Sequence, residues 1–370
     1  MANTLKFGNG EWYGKKDTIL AYNSENNNFK PLPFDFSRAS SATVVNKAGL
    51  IETVGSGEPR IDFKDDAKGA LLLEPARANL IPYSEDFSQW FQIGTATITS
   101  NYGVSPDGTQ NSSRLQMNAS DKIYFTVASS GDISFTVYLK GVGQIRLRDN
   151  TSTGLKDVTL TSEWVRYELN FNATISNFQI EQQTGVSDFE IYGAQLEQGS
   201  YATSYIPTSG SAVTRVADAC TNGGNDQVIN STEGVFYAEV ENSSPSTSTR
   251  GWVLQSSLNN GSDLIGIRFN SSQLINFYLR ANSVTTINVN VSNTYNGFIK
   301  IALKYKSGEN SLWINGVEVH SNTTAFSFNN SLSNLGNYDG LGNYGYFNIK
   351  DTKLYNTALT DSELQALTTI

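Results

Sequence analysis

The sequence predicts an all-β protein: an extended N-terminal arm, two antiparallel β-sandwich (jelly-roll) domains and one short C-terminal helix. Three observations carry this expectation. Of 370 residues, 38% are hydrophobic, yet aromatics reach 11%, with 18 Tyr and 19 Phe; few apolar residues, many rings and many small polar residues suit thin sandwiches with long loops. Apolar residues recur at period two, as in half-buried strands. Gly, Asn and Asp punctuate these runs as turns.

The chain is long enough for two or three domains. Residues 1–82 mix short apolar bursts with turn signals. Asn26-Asn27-Asn28, followed by Pro31 and Pro33, excludes a helix and a central strand. Ala70 to Leu73 reads as a buried strand closed by Pro75. The segment is expected to be an arm that the two sandwiches do not need in order to fold. Residues 83–210 form the first predicted sandwich. Ile133, Phe135, Val137 and Leu139 alternate with polar residues, as do Val165, Tyr167, Leu169 and Phe171, then Phe178 and Ile180, then Phe189 and Ile191. Turns are expected at Gly131-Asp132, Gly141, Asp149-Asn150 and Gly185. Residues 211–222 are small and polar and read as a linker.

Residues 223–370 repeat the all-β pattern. Phe236, Ala238 and Val240 alternate. Leu312 to Val319 reads as a hairpin, because Asn315-Gly316 suits a two-residue type I′ turn in which both residues take positive φ. The helix is C-terminal: Thr360 followed by Glu363 makes a capping box, with Leu364 and Leu367 on the apolar side.

Charge and the rarer residues limit function. The net charge of −9 opposes approach to phosphate backbones, so no nucleic-acid partner is expected. No run of 18 apolar residues occurs, so no membrane insertion is expected. The N-terminal sequence lacks an apolar signal-peptide core, which implies synthesis in the cytoplasm without a cleaved signal. The single cysteine, Cys220, rules out an intrachain disulfide and reads as a small buried residue.

Catalytic candidates are few. A nucleophile–His site would have to use His320, the only histidine, which reads as an exposed loop residue. Glycoside hydrolysis needs two flanking carboxylates; Glu239 and Glu241 share a predicted strand face and are the nearest approach. The Gly8–Lys16 stretch has the wrong spacing for a phosphate loop. No catalytic residue and no metal ligand is assigned. Calcium remains conceivable at Asp65-Asp66, Asp149-Asn150 or Asp188/Glu190, none with a diagnostic spacing.

The binding candidate is Leu335 to Phe347, in which Leu-Gly-Asn-Tyr occurs twice around Asp339-Gly340. Rings stack under the C–H faces of sugars, and Asn and Asp read hydroxyls. The glycan-site candidates are therefore Asn337, Tyr338, Asp339, Asn343, Tyr344 and Tyr346, with Trp252 as a further ring. If Tyr344 and Tyr346 share a strand they share a face, so either both are buried or Tyr338 alone reaches solvent at the turn.

Three stretches also resemble known families. Phe36 to Asn46, Gly49 to Glu52, Pro59 to Phe63 and Leu71 to Ile81 resemble an N-terminal module of tailed-bacteriophage fibre and head-spike proteins. Asn79 to Trp90, with Ile191 to Gly199 and Ala202 to Thr208, resembles carbohydrate-binding-type jelly rolls of phage head spikes. Trp313 to Val319 and Ile349 to Leu364 resemble concanavalin A-like, laminin-G-like lectin domains. The resemblance implies a non-enzymatic virion fibre or spike protein at the virion surface, trimeric, anchored to other virion proteins by its arm. Its sandwiches would bind host-surface polysaccharide. A purely structural connector and a polysaccharide depolymerase are the alternatives, since these folds host both binding modules and hydrolases.

Overall fold

The computed structural model describes residues 2–25, 27, 33–241, 250–271, 274–292 and 297–370. Apart from one 3-10 turn (Phe87–Gln89) and the α-helix Asp361–Thr368, its regular elements are strands. The all-β class and the C-terminal helix are thus as expected. The chain divides into two compact units. One comprises Met1–Ser41, Val54–Pro75 and Ala217–Ile370; the other comprises Ala42–Thr53 and Ala76–Val216.

The first unit is a sandwich. Its larger sheet runs Val317–Asn322, Asn310–Ile314, Ile299–Lys306, Glu233–Glu241, Asn348–Tyr355, Ala70–Leu72, Ile61–Asp62, with Leu5–Gly8 also against Asn348–Tyr355. The facing sheet runs Val284–Ser292, Leu274–Ala281, Leu264–Ser271, Arg250–Ser256, Leu332–Gly336. Period-two alternation sends Phe236, Ala238 and Val240 from one sheet and Ile265, Ile267, Phe277 and Leu279 from the other into a common core. The reverse face of the larger sheet carries Val235, Tyr237, Ala302 and Trp313, which pack with Leu364 and Leu367 of the helix. Thr360 and Glu363 form the expected reciprocal cap. Asn315 and Gly316 sit at φ 48° and 83°, as a type I′ turn requires.

The expected arm over 1–82 is not what forms. Leu5, Phe7, Ile19, Phe34, Phe36, Leu71 and Leu73 are buried in the core of the first unit. Strands Leu5–Gly8 and Ala70–Leu72 pair with Asn348–Tyr355, while Ala42–Thr53 joins the second unit. Too few apolar residues lie in this segment to build a core of their own, so they complete one supplied from elsewhere in the chain. Pro33 opens Pro33–Ser37, which has neighbours on both sides (Thr18–Leu20 and Ala219–Thr221). The first position lets a proline start an inner strand. The reading of Asn26, Asn28 and Pro31 lies outside the described residues.

A buried ion network explains why Arg38, Arg60 and Glu74 stand where they do. Arg38 donates from Nη1 to Asp218 Oδ1 at 3.1 Å, from Nη2 to Gly55 O at 2.6 Å and from Nε to Ser40 O at 2.9 Å. Arg60 donates to Glu74 Oε2 at 2.6 Å and to Asp218 Oδ2. The backbone N–H of Glu74 reaches the same Asp218 oxygen at 2.9 Å. The side chains of Arg38, Arg60 and Asp218 are fully buried. Burial works to lower the Arg60 pKa, but Asp218 and Glu74 outweigh it and hold the guanidinium above its ordinary value. Ions this deep persist only when paired and hydrogen-bonded.

The second unit is built on one eight-stranded sheet: Thr97–Val104, Gln110–Asn118, Val186–Gln198, Lys122–Val142, Val165–Glu181, Gln144–Asp149, Leu155–Thr159, with Phe91–Ile93 against Lys122–Val142. The expected turn at Gly131-Asp132 is absent. Residues 129–139 stay in register with 165–175, and Gly131 merely bends the strand at φ 86°. Phe135 and Phe178 stack at 3.8 Å in its core. The expected linker 211–222 is also structured: Val213–Arg215 pairs with Arg77–Asn79, and Ala219–Thr221 with Pro33–Ser37.

Candidate functional site

The outward face of the five-stranded sheet of the first unit is where the predicted loop residues gather. Alternation in Arg250–Ser256 turns Trp252 and Leu254 into the sandwich core and places Val253 and Gln255 on the opposite face, where both are also buried. Trp252 is therefore a core residue, contrary to its assignment as a glycan-binding ring. It is 1% exposed, stacks on Phe34 at 5.8 Å and donates Nε1–H to Thr352 Oγ1 at 3.0 Å. The same alternation in the next strands places Arg268, Asn276 and Tyr278 on that opposite face, where all three are buried.

These side chains are ordered by one another. The Arg268 guanidinium lies over the Tyr278 ring, 3.6 Å from its centroid, and its Nη2 stands 3.5 Å from Asp339 Oδ2. Burial pushes the Arg268 pKa down, and Asp339 and Tyr278 pull against that. The Tyr278 hydroxyl is 2.8 Å from Thr285 Oγ1. Asn276 Nδ2 donates to Asn288 Oδ1 at 2.7 Å and to Asn290 Oδ1 at 2.9 Å. Gln255 Nε2 donates to Tyr338 O at 2.7 Å, while its Oε1 is buried with no partner among the described residues. A buried acceptor without a donor costs free energy.

The loop between Leu332–Gly336 and Asn348–Tyr355 closes one end of this face. Asp339 shapes it: Oδ1 accepts the backbone N–H of Leu341 at 2.8 Å and of Asn343 at 3.1 Å, and Oδ2 accepts Asn343 Nδ2 at 2.9 Å. Gly340 takes φ 70°, and a Cβ there would meet Gly261 N at 2.4 Å, so only glycine fits. Tyr338 and Tyr344 pair as an isolated bridge with ring centroids 4.8 Å apart.

The predicted residues thus separate. Tyr338, Tyr344, Tyr346 and Asn343 are half-buried, and Asp339 is buried beside Arg268. Asn337 is fully buried: its Oδ1 accepts Cys220 N and its Nδ2 donates to Gly345 O, both at 2.9 Å. It holds the loop and cannot read a hydroxyl. Neither expected arrangement of the tyrosines occurs, because Tyr344 lies outside any strand and half-buries against Tyr338. Sequence reading missed Gln255, Arg268, Asn276 and Tyr278. The signal was available in the polar residues interleaved with Ile265, Ile267, Phe269 and with Ile275, Phe277, Leu279.

Other candidates have structural partners. His320 lies within Val317–Asn322, half-buried and 3.1 Å from Asn322 Nδ2, rather than in an exposed loop. Glu239 faces Lys350 at 3.2 Å, and Glu241 accepts Asn348 Nδ2 at 3.0 Å. Asp66 pairs with Lys350 at 2.6 Å, and Asp149 accepts the Thr151 and Gly154 backbone N–H groups. Lys64 stands 3.8 Å from Asp65. Asp188 and Glu190 meet Arg114 and Lys140. Among the described residues no three His, Cys, Asp or Glu side chains gather as a metal site. Cys220 is buried as expected, and burial pushes its thiol pKa up.

Comparison with known proteins agrees with the sandwich. No curated protein matches the sequence. Among solved structures, the sialidase carbohydrate-binding module CBM40 of Ruminococcus gnavus bound to alpha2,3 sialyllactose shares 17% identity over 40% of this chain and 94% of its own, with a TM-score of 0.34. Domain 4 of a GH43 extracellular arabinanase from Geobacillus stearothermophilus, in complex with arabinotriose, shares 13% over 46% and 82%, with a TM-score of 0.31. Likenesses this distant carry no argument about ligand. Residues 225–365 match the family model of the concanavalin A-like lectin/glucanases superfamily, and it is to that superfamily that the C-terminal sandwich is similar.

Proposed function

We propose that the protein binds glycans without cleaving them, through the half-buried rings of Tyr338 and Tyr344, which the buried side chains of Gln255, Arg268, Tyr278 and Asp339 support from beneath. The observation that carries this reading is the half-buried pair Tyr338 and Tyr344, ring centroids 4.8 Å apart, at the loop that Asp339 shapes. Rings held in a fixed loop suit stacking on the C–H faces of sugars. The sequence resemblance extends the reading to a trimeric fibre or spike of a tailed phage, attached to other virion proteins and presented to host-surface polysaccharide.

The test is a glycan array with the full chain, followed by affinity measurements. At least one glycan should bind with no release of reducing sugar. Tyr338→Ala and Tyr344→Ala should weaken binding about tenfold while the melting temperature stays close to that of the unsubstituted protein. Reducing-sugar release would favour the depolymerase and overturn the non-enzymatic reading. Silence on the array, together with capture of virion proteins, would favour the connector. Sedimentation as a monomer would remove the trimer.

A further inference from the structure

We propose that Asn9 is a self-modification site. Its side-chain amide is lost as ammonia to attack by the backbone nitrogen of Gly10, the Lys68 ammonium assists, and residue 9 becomes aspartate or isoaspartate. This inference concerns a turn of the first unit and does not rest on the glycan reading. The turn runs from Gly8 to Glu11 and is closed by the Glu11 N–H, donated to Gly8 O at 3.1 Å. Its central residues Asn9 and Gly10 take φ 55° and 90°, as in a type I′ turn. Both are exposed.

Three features converge on the Asn9 amide. Lys68 Nζ donates to Asn9 Oδ1 at 2.7 Å. The lysine is itself anchored: its N–H goes to Asp66 Oδ1 at 2.7 Å, and its C=O accepts Trp12 Nε1–H at 2.8 Å. Its stem crosses the turn, 3.5 Å from where a Cβ on Gly10 would stand. Among the described residues nothing accepts the Gly10 N–H or the Asn9 Nδ2 hydrogens. The attacking nitrogen is therefore uncommitted and unshielded by a side chain, the leaving group faces water, and the carbonyl oxygen already sits on a cation.

The step is intramolecular, which spares the entropy of bringing two reactants together. The Gly10 nitrogen gives its proton to water or hydroxide and bonds to Asn9 Cγ. The C=O electron pair moves onto Oδ1, where the Lys68 ammonium meets the developing charge. The pair returns, the Cγ–Nδ2 bond breaks, and Nδ2 takes a proton from water and leaves as ammonia. Water then opens the cyclic imide at either carbonyl, giving aspartate or, where the chain runs through the side chain, isoaspartate. The other described Asn-Gly pairs lack this arrangement. The Gly223 N–H is donated to Leu335 O at 2.9 Å, and the Gly316 N–H to Thr368 Oγ1 at 3.1 Å. Gly261 N is crowded by Gly340, where a Cβ would stand 2.4 Å from it. Asn260 Oδ1 accepts a neutral N–H, that of Ser262 at 3.0 Å.

Peptide mapping of the full chain during incubation at mildly alkaline pH tests this, with mass spectrometry for loss of the amide and enzymatic methylation for isoaspartate. Asn9 should convert faster than Asn222, Asn260 and Asn315. Lys68→Met should slow conversion at Asn9 about tenfold, less than a buried oxyanion donor supplies, and leave the other three rates unchanged. Lys68→Arg keeps the cation and should keep most of the rate, which separates assistance by charge from a structural effect of the substitution. In denaturant Lys68→Met should make no difference, because the fold places the lysine. No conversion at Asn9, conversion no faster than at Asn260, a rate unchanged or raised in folded Lys68→Met, or an effect of that variant persisting in denaturant overturns the proposal. So does a Lys68–Asn9 cross-link formed with loss of ammonia, since the lysine amine would then be the nucleophile.

Discussion

The two units solve the same problem of filling a sandwich by different routes. The second draws almost all its strands from one continuous stretch, 76–216, and its ion pairs Arg114–Asp188 and Lys140–Glu190 lie at its surface. The first gathers its strands from three separated segments, and its ion network is buried. Asp218 meets Arg38 and Arg60 across 180 and 158 residues of sequence. Buried charge therefore marks the place where remote segments must meet in one arrangement, while surface pairs on neighbouring strands leave the fold little changed if lost.

The sharpest way to break this comparison is truncation. A chain beginning at Asn79 loses the core side chains Leu5, Phe7, Phe34, Phe36, Leu71 and Leu73 along with Arg38, Arg60 and Glu74. Its first unit should fail to fold, whereas the second unit, short only of 42–53 and 76–78, should keep more of its structure. Calorimetry with near-UV CD reads this as one lost transition. A single full-sized melt of the truncated chain would show that the first unit does not need its N-terminal segments.

A smaller but still large effect is expected at the network itself. Asp218→Ala leaves two buried guanidinium groups without their shared carboxylate and should cost about 3–5 kcal/mol. Denaturant unfolding of the first unit measures it; a cost no greater than that of a surface pair would deny the network its role. Trp252→Ala opens a cavity between Phe34, Phe7 and Phe347 and should cost about 3–5 kcal/mol. Glycan affinity measured under folding conditions should then be spared, the reverse of Tyr338→Ala.

The smallest effect belongs to the second unit and depends on pH. Burial raises the pKa of Glu85, although Tyr205 and Tyr192 donate hydrogen bonds to it. A carboxyl whose pKa is higher folded than unfolded favours the fold while protonated. That contribution is present below the ordinary glutamate range, about 4.3, and is lost as pH rises through the raised folded value. Glu85→Gln should flatten the melting temperature of the second unit across that window. An unchanged pH profile in this variant would sink the assignment.

Local signals were read correctly from the sequence. The capping box at Thr360 and Glu363 and the Asn315-Gly316 turn depend on residues within three or four positions of each other, so the chain specifies them wherever it is placed. The strand runs Ile133–Leu139 and Phe236–Val240 were equally legible, because alternation is a property of the strand alone. Gly131 misled because positive φ serves a bend within a strand as well as a turn between strands. The candidate site was half legible: the loop from Asn337 to Tyr346 was recognised by its rings and glycines. Trp252 was placed on the wrong face, and Gln255, three residues on, was overlooked.

What the sequence determined by itself was the class: sandwich strands, a capped terminal helix, a tight hairpin and an acidic chain. Those follow from composition and from interactions between near neighbours. What only the tertiary structure decided was membership and facing. The tertiary fold puts Leu5, Phe7, Ile19, Phe34 and Phe36 into the C-terminal sandwich, makes Asn337 a buried brace and turns Arg268 toward the loop that holds Asp339. Each of these depends on apolar surface and charge finding partners tens to hundreds of residues away, and a period-two pattern cannot say which of its faces another segment will cover.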